Sequence, residues 1–184
     1  MADRTEFACI VTALGSRQAS DIEGDKETYL DLADANDVIL DFANFVPTEP
    51  DDIARAIQET FVWRTYQGVS GWRRFDHIII YHHGVYPGPG LLRRWPPQIE
   101  LIGPDEVFRN TAPYIAGDGT LYICACYQTT EKWGEWAIAC GFTQKLRLWP
   151  GTGRSFEYPE LRGKFIVEEE PPNLLQWFRS IFRK

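Results

Sequence analysis

The sequence predicts one α/β domain, with a mostly parallel sheet and helices on both of its faces. Short apolar runs typical of strands alternate along the chain with segments whose apolar residues recur at helical spacing. Strands that are separated by helices imply parallel crossovers and therefore a layered α/β sheet. The chain has 184 residues, 44% of them apolar, and no evident linker, so we assign residues 1–184 to a single domain.

The first half of the chain is predicted to contain three strands, over residues 7–14, 37–46 and from residue 75 onward. Residues 17–27 are polar and are predicted to form a loop, and residues 64–74 have no clear period. A helix is predicted over residues 48–61. Thr48 and Asp51 at its start resemble a capping box. Apolar residues then follow at helical spacing, which places one face of this helix on the sheet.

The second half is predicted to continue the alternation. In chain order we expect a short helix over 103–119, a strand over 121–126, a helix over 131–141, strands over 145–153 and 163–169, and an amphipathic C-terminal helix over 173–184. Pro104 suits the first turn of the first of these helices, and Gly117 suits its exit. The C-terminal helix is expected to dock on the core, with a protein partner or a membrane surface as the alternative.

Composition excludes several classes of function. The formal net charge is −7, and an anionic domain is a poor candidate for binding nucleic acid. All four cysteines lie inside apolar runs, which favours reduced thiols and a cytoplasmic location. The first residues, MADRTEF, do not resemble a signal peptide, and no apolar run is long enough to span a membrane.

Two predicted strands end in residues that suit catalysis. The run FDHIIIYHHG ends in His82, His83 and Gly84, and the run GTLYICACYQT ends an apolar stretch with Cys126. In parallel α/β sheets, ligands bind beyond the carboxyl ends of the strands. His83 and Cys126 are 43 positions apart, which fits one crossover between neighbouring strands. An imidazole beside a thiol favours proton removal, so a His/Cys dyad is predicted.

The backbone at these strand ends can also contribute to the chemistry. The N–H groups of Gly84 and Cys126 are placed to bind a developing oxyanion. Glycine permits a substrate carbonyl to approach the main chain closely. We therefore expect a nucleophile, a base and an oxyanion site at one edge of the sheet.

The stretches that carry these residues resemble the caspase-like cysteine peptidase superfamily. IIIYHHG is similar to its hydrophobic strand followed by His-Gly, and LYICACYQT to its strand ending in the nucleophile. Together with WGEWAIACGFTQKLRLWPGTG, they resemble the CHAT-type branch most, and the similarity is specific between residues 76 and 153. The caspase signature is met only in part, because Cys124 stands where its glutamine would be and Tyr127 follows the nucleophile.

This resemblance implies a caspase-like fold and a cysteine endopeptidase that needs no cofactor and acts on a protein or peptide. His83 directly precedes the glycine and matches the general base. Cys126 follows Ala125 and matches the nucleophile, and Gly84 matches the oxyanion glycine. The alternative is a catalytically inactive caspase-like domain that works as an interaction module.

A metal site is the rival interpretation of the same residues, since His82, His83, Cys124 and Cys126 are all of ligand type. Structural zinc sites favour Cys-x₂₋₄-Cys loops, however, and adjacent histidines on an extended strand point to opposite faces. We therefore predict no metal, and expect His82 to act on stability.

Residues 85–98 follow Gly84 directly and contain four prolines, which exclude this segment from the interior of the sheet. Its apolar side chains are too many for a solvated turn, so we expect it to form one wall of a substrate groove. The groove residues would be Tyr86, Arg93, Arg94 and Trp95. The two arginines would favour acidic groups on the substrate.

Overall fold

The computed structural model describes residues 5–68, 73–85, 88–94, 99–149, 165–167 and 179. Within these residues the strands are β1 (Glu6–Ala13), β2 (Val38–Phe45), β3 (Phe75–Tyr81), β4 (Leu91–Arg94), β5 (Glu100–Ile102), β6 (Ile115–Cys124), β7 (Lys145–Trp149) and β8 (Phe165–Val167). The helices are α1 (Arg17–Gly24), α2 (Lys26–Asp34), α3 (Asp52–Tyr66), α4 (Pro104–Thr111) and α5 (Thr130–Ala139), with a 3₁₀ turn at Ala112–Tyr114.

The main sheet has the strand order β2-β1-β3-β6-β7-β8, and every adjacent pair is parallel. β4 and β5 form a separate antiparallel pair. The predicted α/β class is therefore confirmed, and the arrangement is compatible with the caspase-like fold that the resemblance implies. β8 lies at one edge of the sheet, as expected for the segment at 163–169.

Helices cover both faces of this sheet. In β3, Ile78 and Ile80 belong to the apolar cluster that includes residues of α3, α4 and α5. Ile79 belongs to the opposite cluster, with residues of α1 and α2. Because successive strand residues point to opposite faces, a run of three isoleucines indicates a strand that is buried on both sides.

Helices α1 and α2 correct the prediction of a loop at residues 17–27. Ser16 caps α1, because its hydroxyl oxygen accepts a hydrogen bond from the Ala19 N–H at 3.1 Å. Ile22 and Tyr29 are buried against the sheet, whereas most of their neighbours in the sequence are polar. Two short helices with so few apolar residues leave a weak periodic signal, and packing on the sheet stabilises them.

Three predicted boundaries also differ in the structure. α3 begins at Asp52 with Asp51 as its N-cap, and it is the Asp52 carboxylate, not that of Asp51, that accepts hydrogen bonds from the backbone N–H groups of Thr48 and Glu49, at 2.7 and 2.6 Å. The helix predicted over 103–119 ends at Thr111, so Gly117 lies in β6. Pro113 has no N–H to extend that helix. β6 ends at Cys124, two residues before Cys126.

The remaining predictions for the second half fall partly on described residues. α5 agrees with the helix predicted over 131–141, and Gly141 follows it with a φ of 65°. The strand predicted over 145–153 is β7, and its last four residues lie outside the described residues. The predicted C-terminal helix at 173–184 also lies outside them, except for Arg179, which is helical and exposed.

Arg64 of α3 is buried among aromatic rings beneath the sheet. Its guanidinium carbon is 4.1 Å from the ring centre of Phe75 and 4.5 Å from that of Phe7. Its Nη2 donates to the Arg73 carbonyl at 2.7 Å, and its Nε lies 3.7 Å from Asp41 Oδ2. Burial raises the pKa of Asp41 to about 6 even though Arg64 opposes that shift. Arg64 thus links α3 to the beginnings of β1 and β3.

We predict that Arg64→Ala lowers the free energy of unfolding by about 3 kcal/mol, because it removes the ring contacts and leaves the partly buried Asp41 carboxyl without its partner. Arg55→Ala on the same helix is the control. Arg55 is exposed, and its ion pairs should be worth less than about 1 kcal/mol. Urea unfolding of both variants measures the difference, and equal losses would contradict a special role for Arg64.

Candidate active site

The two strand ends that carry the predicted dyad are neighbours. β3 pairs with β6 in parallel, with Tyr81 opposite Cys124. The next residue continues this register, because the His82 N–H donates to the Cys124 carbonyl at 3.1 Å. Extended past the ends of both strands, this register would set His83 opposite Cys126. The sequence therefore correctly predicts that these two strands are neighbours.

Gly84 and Cys126 touch through their backbones. A methyl group built on Gly84 would lie 1.8 Å from the Cys126 carbonyl oxygen and 2.9 Å from its carbonyl carbon. Contacts below 3.0 Å essentially never occur for a real Cβ, so a side chain at position 84 would force the two segments apart. The predicted oxyanion glycine therefore lies against the predicted nucleophile.

The chain turns sharply immediately after Cys126. Tyr127 has a φ of 62°, in the left-handed region that tyrosine seldom adopts. Cys126 is exposed at this turn, whereas Cys124, inside β6, is fully buried. The strand end and the strained turn together present the Cys126 thiol to solvent.

Gln128 holds this turn in place, and the sequence did not indicate its role. Its Nε2 donates to the Cys126 carbonyl at 2.8 Å. Its Oε1 accepts hydrogen bonds from the Gly90 N–H at 2.9 Å and the Trp133 Nε1–H at 2.7 Å. The side chain thus joins the Cys126 turn to the segment before β4 and to α5. In sequence it is one polar residue between a strand and a helix, so only these three contacts reveal its function.

His82 is buried in the interior of the protein. Its Nε2–H donates to the Leu92 carbonyl at 2.6 Å, and its ring packs edge-on against Phe45 at 5.7 Å. Burial lowers the pKa of His82 to about 4, although the hydrogen bond to Leu92 opposes this shift. The imidazole is therefore neutral at pH 7 and is held by the structure.

His83 is only partly buried, and its Nδ1 lies 3.0 Å from Nε2 of Gln18 on α1. Burial, followed by the positive charge of Arg17, lowers the pKa of His83. Its imidazole is therefore also neutral at pH 7, the state in which it can accept a proton.

A cavity of about 250 Å³ adjoins the histidines, at the carboxyl end of β1. Its lining includes Leu14, Arg17, Pro47, His83 and Arg93. The cavity lies where ligands bind in parallel α/β sheets.

The predicted groove residues are only partly described. Tyr86 and Trp95 lie outside the described residues. Arg93 lines the cavity, but its guanidinium pairs with the Glu106 carboxylate, and both side chains are nearly buried. Arg94 is exposed and lies 3.5 Å from Glu100. Because both arginines have acidic partners, a preference for acidic substrates stays a prediction.

The structure gives no support to the alternative of a zinc site. Within the described ranges, no group of three or more His, Cys, Asp or Glu side chains is placed to hold a metal ion. All four cysteines are free, and the two in the candidate site differ in environment, because Cys124 is buried and Cys126 is exposed.

Comparisons with known proteins do not identify a function for this chain. The chain matches no model of a protein family, and a search of curated proteins returns no match. In the part of the chain that the structure describes, no helix is sufficiently long and apolar to cross a membrane.

We predict that Gly84→Ala lowers the free energy of unfolding by about 2 kcal/mol, because the methyl group would collide with the Cys126 carbonyl. Gly117→Ala is the matched control. Gly117 is exposed in β6, and a methyl group there meets nothing within 4 Å. That variant should change stability by less than about 0.5 kcal/mol. Urea unfolding distinguishes them, and a neutral Gly84→Ala would contradict the close approach.

His82 should make stability depend on pH. Its pKa is about 4 in the folded protein against an ordinary value of 6.5, so between these values the unfolded chain binds a proton that the folded chain does not. Stability contributed by His82 is therefore lost as the pH falls from 6.5 to 4. The full effect is about 3 kcal/mol.

The measurement compares the wild type with His82→Gln, which cannot titrate. As the pH falls through this window, the free energy of unfolding of the wild type should decrease relative to that of His82→Gln. The raised pKa of Asp41 has the opposite effect on stability, but it is common to both proteins and cancels in the difference. Parallel stability curves would show that His82 is not buried as described.

Proposed function

We propose that this chain is a caspase-like cysteine endopeptidase in which His83 and Cys126 form the catalytic dyad. The observation that carries the proposal is the backbone contact between Gly84 and Cys126. It joins the ends of two neighbouring parallel strands through the Cys126 carbonyl, and Cys126 is exposed at this point.

The proposed reaction uses the His83 imidazole, the Cys126 thiol and two backbone N–H groups. His83 accepts the thiol proton as the Cys126 sulfur attacks the scissile carbonyl, and the N–H groups of Gly84 and Cys126 stabilise the oxyanion. Collapse of the tetrahedral intermediate breaks the C–N bond, and His83 returns its proton to the leaving amine. Water, deprotonated by His83, then hydrolyses the acyl-enzyme and regenerates the thiol.

The electrostatics of His83 support its role as the base. A protonated imidazole cannot accept the thiol proton, and the lowered pKa of His83 keeps it neutral at pH 7. His82 is neutral as well, but its buried Nε2–H is already used by the Leu92 carbonyl. In this proposal, His83 is the base and His82 stabilises the fold.

The proposed substrate is a peptide or protein, bound so that one side chain enters the cavity beside His83. The exposed Cys126 thiol must remain reduced to act, which favours the reducing cytoplasm as the working compartment. No cofactor is required by this mechanism.

A second candidate function is an inactive caspase-like interaction module. The observation that favours it is an apolar patch on α3, where Val62, Trp63 and Tyr66 are all exposed and the two aromatic rings stack at 6.2 Å. Exposed aromatic side chains of this kind are typical of protein-binding surfaces. The reactivity of Cys126 separates the two functions.

We predict that Cys126 is the thiol alkylated fastest by iodoacetamide at neutral pH, because His83 accepts its proton. Cys140 is the internal control, since it is also exposed but lies after α5. Mass spectrometry of digested protein gives both rates. If Cys140 reacts first and Cys126 stays inert, the nucleophile is wrongly assigned.

In peptide hydrolysis, His83→Ala should lower kcat/KM by about 10³-fold, as loss of a general base does. His82→Ala should act mainly through stability, so a folded His82→Ala protein should retain most of its activity. Equal catalytic losses from both variants, without unfolding, would favour a metal site.

A further inference from the structure

Gln18 contacts the candidate base, and catalysis by the dyad does not by itself explain this contact. Its side chain is nearly buried although glutamine is polar, and its Nε2 lies 3.0 Å from His83 Nδ1. The residue occupies the first turn of α1, which Ser16 caps directly after β1. Its position is therefore set by the same sheet edge that presents His83.

The orientation of the Gln18 amide decides which tautomer His83 adopts. With the amide nitrogen towards Nδ1, that ring nitrogen is the acceptor, and a neutral imidazole carries its proton on Nε2. Neither ring nitrogen could then take a proton from a thiol. In this orientation, Gln18 Oε1 is also buried without a hydrogen-bond partner among the described residues.

Turning the amide by 180° exchanges its donor and acceptor ends in almost the same shape. Oε1 then accepts the hydrogen bond from the Nδ1–H of His83, and the amide nitrogen takes the position that Oε1 occupied. The acceptor nitrogen of the ring becomes Nε2. After proton transfer, the same hydrogen bond stabilises the imidazolium, because its Nδ1–H still has an acceptor.

We infer that Gln18 is the positioning residue of His83, and that its amide oxygen holds the base in the Nδ1–H tautomer. The inference rests on the proposed function for its role in proton transfer, but the tautomer itself is a property of the resting protein. It also gives a reason for a polar side chain that is buried at the start of a short helix.

A neutral orienting residue suits this position. Among the described residues, the titratable or charged groups around His83 include Arg17 with its partner Asp21, His82 and, across the cavity, Arg93 with its partner Glu106. A carboxylate in place of the amide would favour the protonated imidazole and raise the pKa of His83. Glutamine instead orients the ring while leaving it neutral at pH 7.

The direct test is the ring ¹⁵N NMR spectrum of the full chain at neutral pH. The sequence has three histidines, so single substitutions of His77 and His82 assign the His83 signals. We expect the proton of wild-type His83 on Nδ1. In Gln18→Met, which keeps the length of the side chain but has no acceptor oxygen, the population should shift towards the Nε2–H tautomer. A wild-type His83 protonated on Nε2 would overturn the inference.

The second test uses Gln18→Glu, with Gln58→Glu as the matched control. Gln58 is exposed on α3, so that variant makes the same charge change away from His83. Gln18→Glu should raise the pKa of His83 by about 1 unit or more. It should also move the acid limb of Cys126 alkylation to higher pH by the same amount, and Gln58→Glu should change neither. Equal shifts in both variants would contradict a direct contact.

These readouts separate failure of the inference from failure of the proposed function. An Nδ1–H tautomer in a protein that cleaves no peptide contradicts the peptidase proposal and supports the placement of Gln18. Efficient peptide cleavage with an Nε2–H tautomer in the resting protein contradicts the inference about Gln18 alone.

Discussion

The parallel pairing of β3 with β6 is the constraint on which the rest of the site depends. It brings together two segments that are far apart in sequence. From His77 to Tyr81 the pairing keeps one register, which backbone hydrogen bonds and apolar side chains on both faces stabilise. A shift by one residue would turn each isoleucine of β3 to the opposite face of the sheet and would carry Gly84 away from Cys126. The contact between Gly84 and Cys126 is therefore as well determined as the core itself.

Burial affects the two histidines in the same direction but with different consequences. Both imidazoles are kept neutral by removal from water, and desolvation is the largest cause in each case. His82 is enclosed and donates to a backbone carbonyl, so its neutrality supports packing. His83 is partly accessible beside a cavity, so its neutral imidazole can accept a proton from a reacting group. One electrostatic environment thus produces a structural group and a reactive group in adjacent positions.

The sequence predicted the parallel sheet and the meeting of the two strand ends because those features depend on long apolar runs and on the order of elements. It did not predict α1, since Gln18 and its neighbours are polar and the apolar signal is sparse. Nor did it predict that β6 begins at Ile115, because Gly117 suits the exit of the helix predicted over 103–119. Gln128 was missed for a further reason: its three hydrogen bonds connect segments that no local pattern relates.

The left-handed backbone at Tyr127 has a consequence for how this protein would respond to selection. A tyrosine in that conformation is disfavoured by about 1 kcal/mol relative to glycine, which adopts it without strain. In a library selected only for resistance to heat, glycine or asparagine should accumulate at this position. In a library selected for activity that depends on the exposed ring and its turn, tyrosine should persist. The residue recovered at one codon would thus report whether folding or activity limits the fitness of this chain.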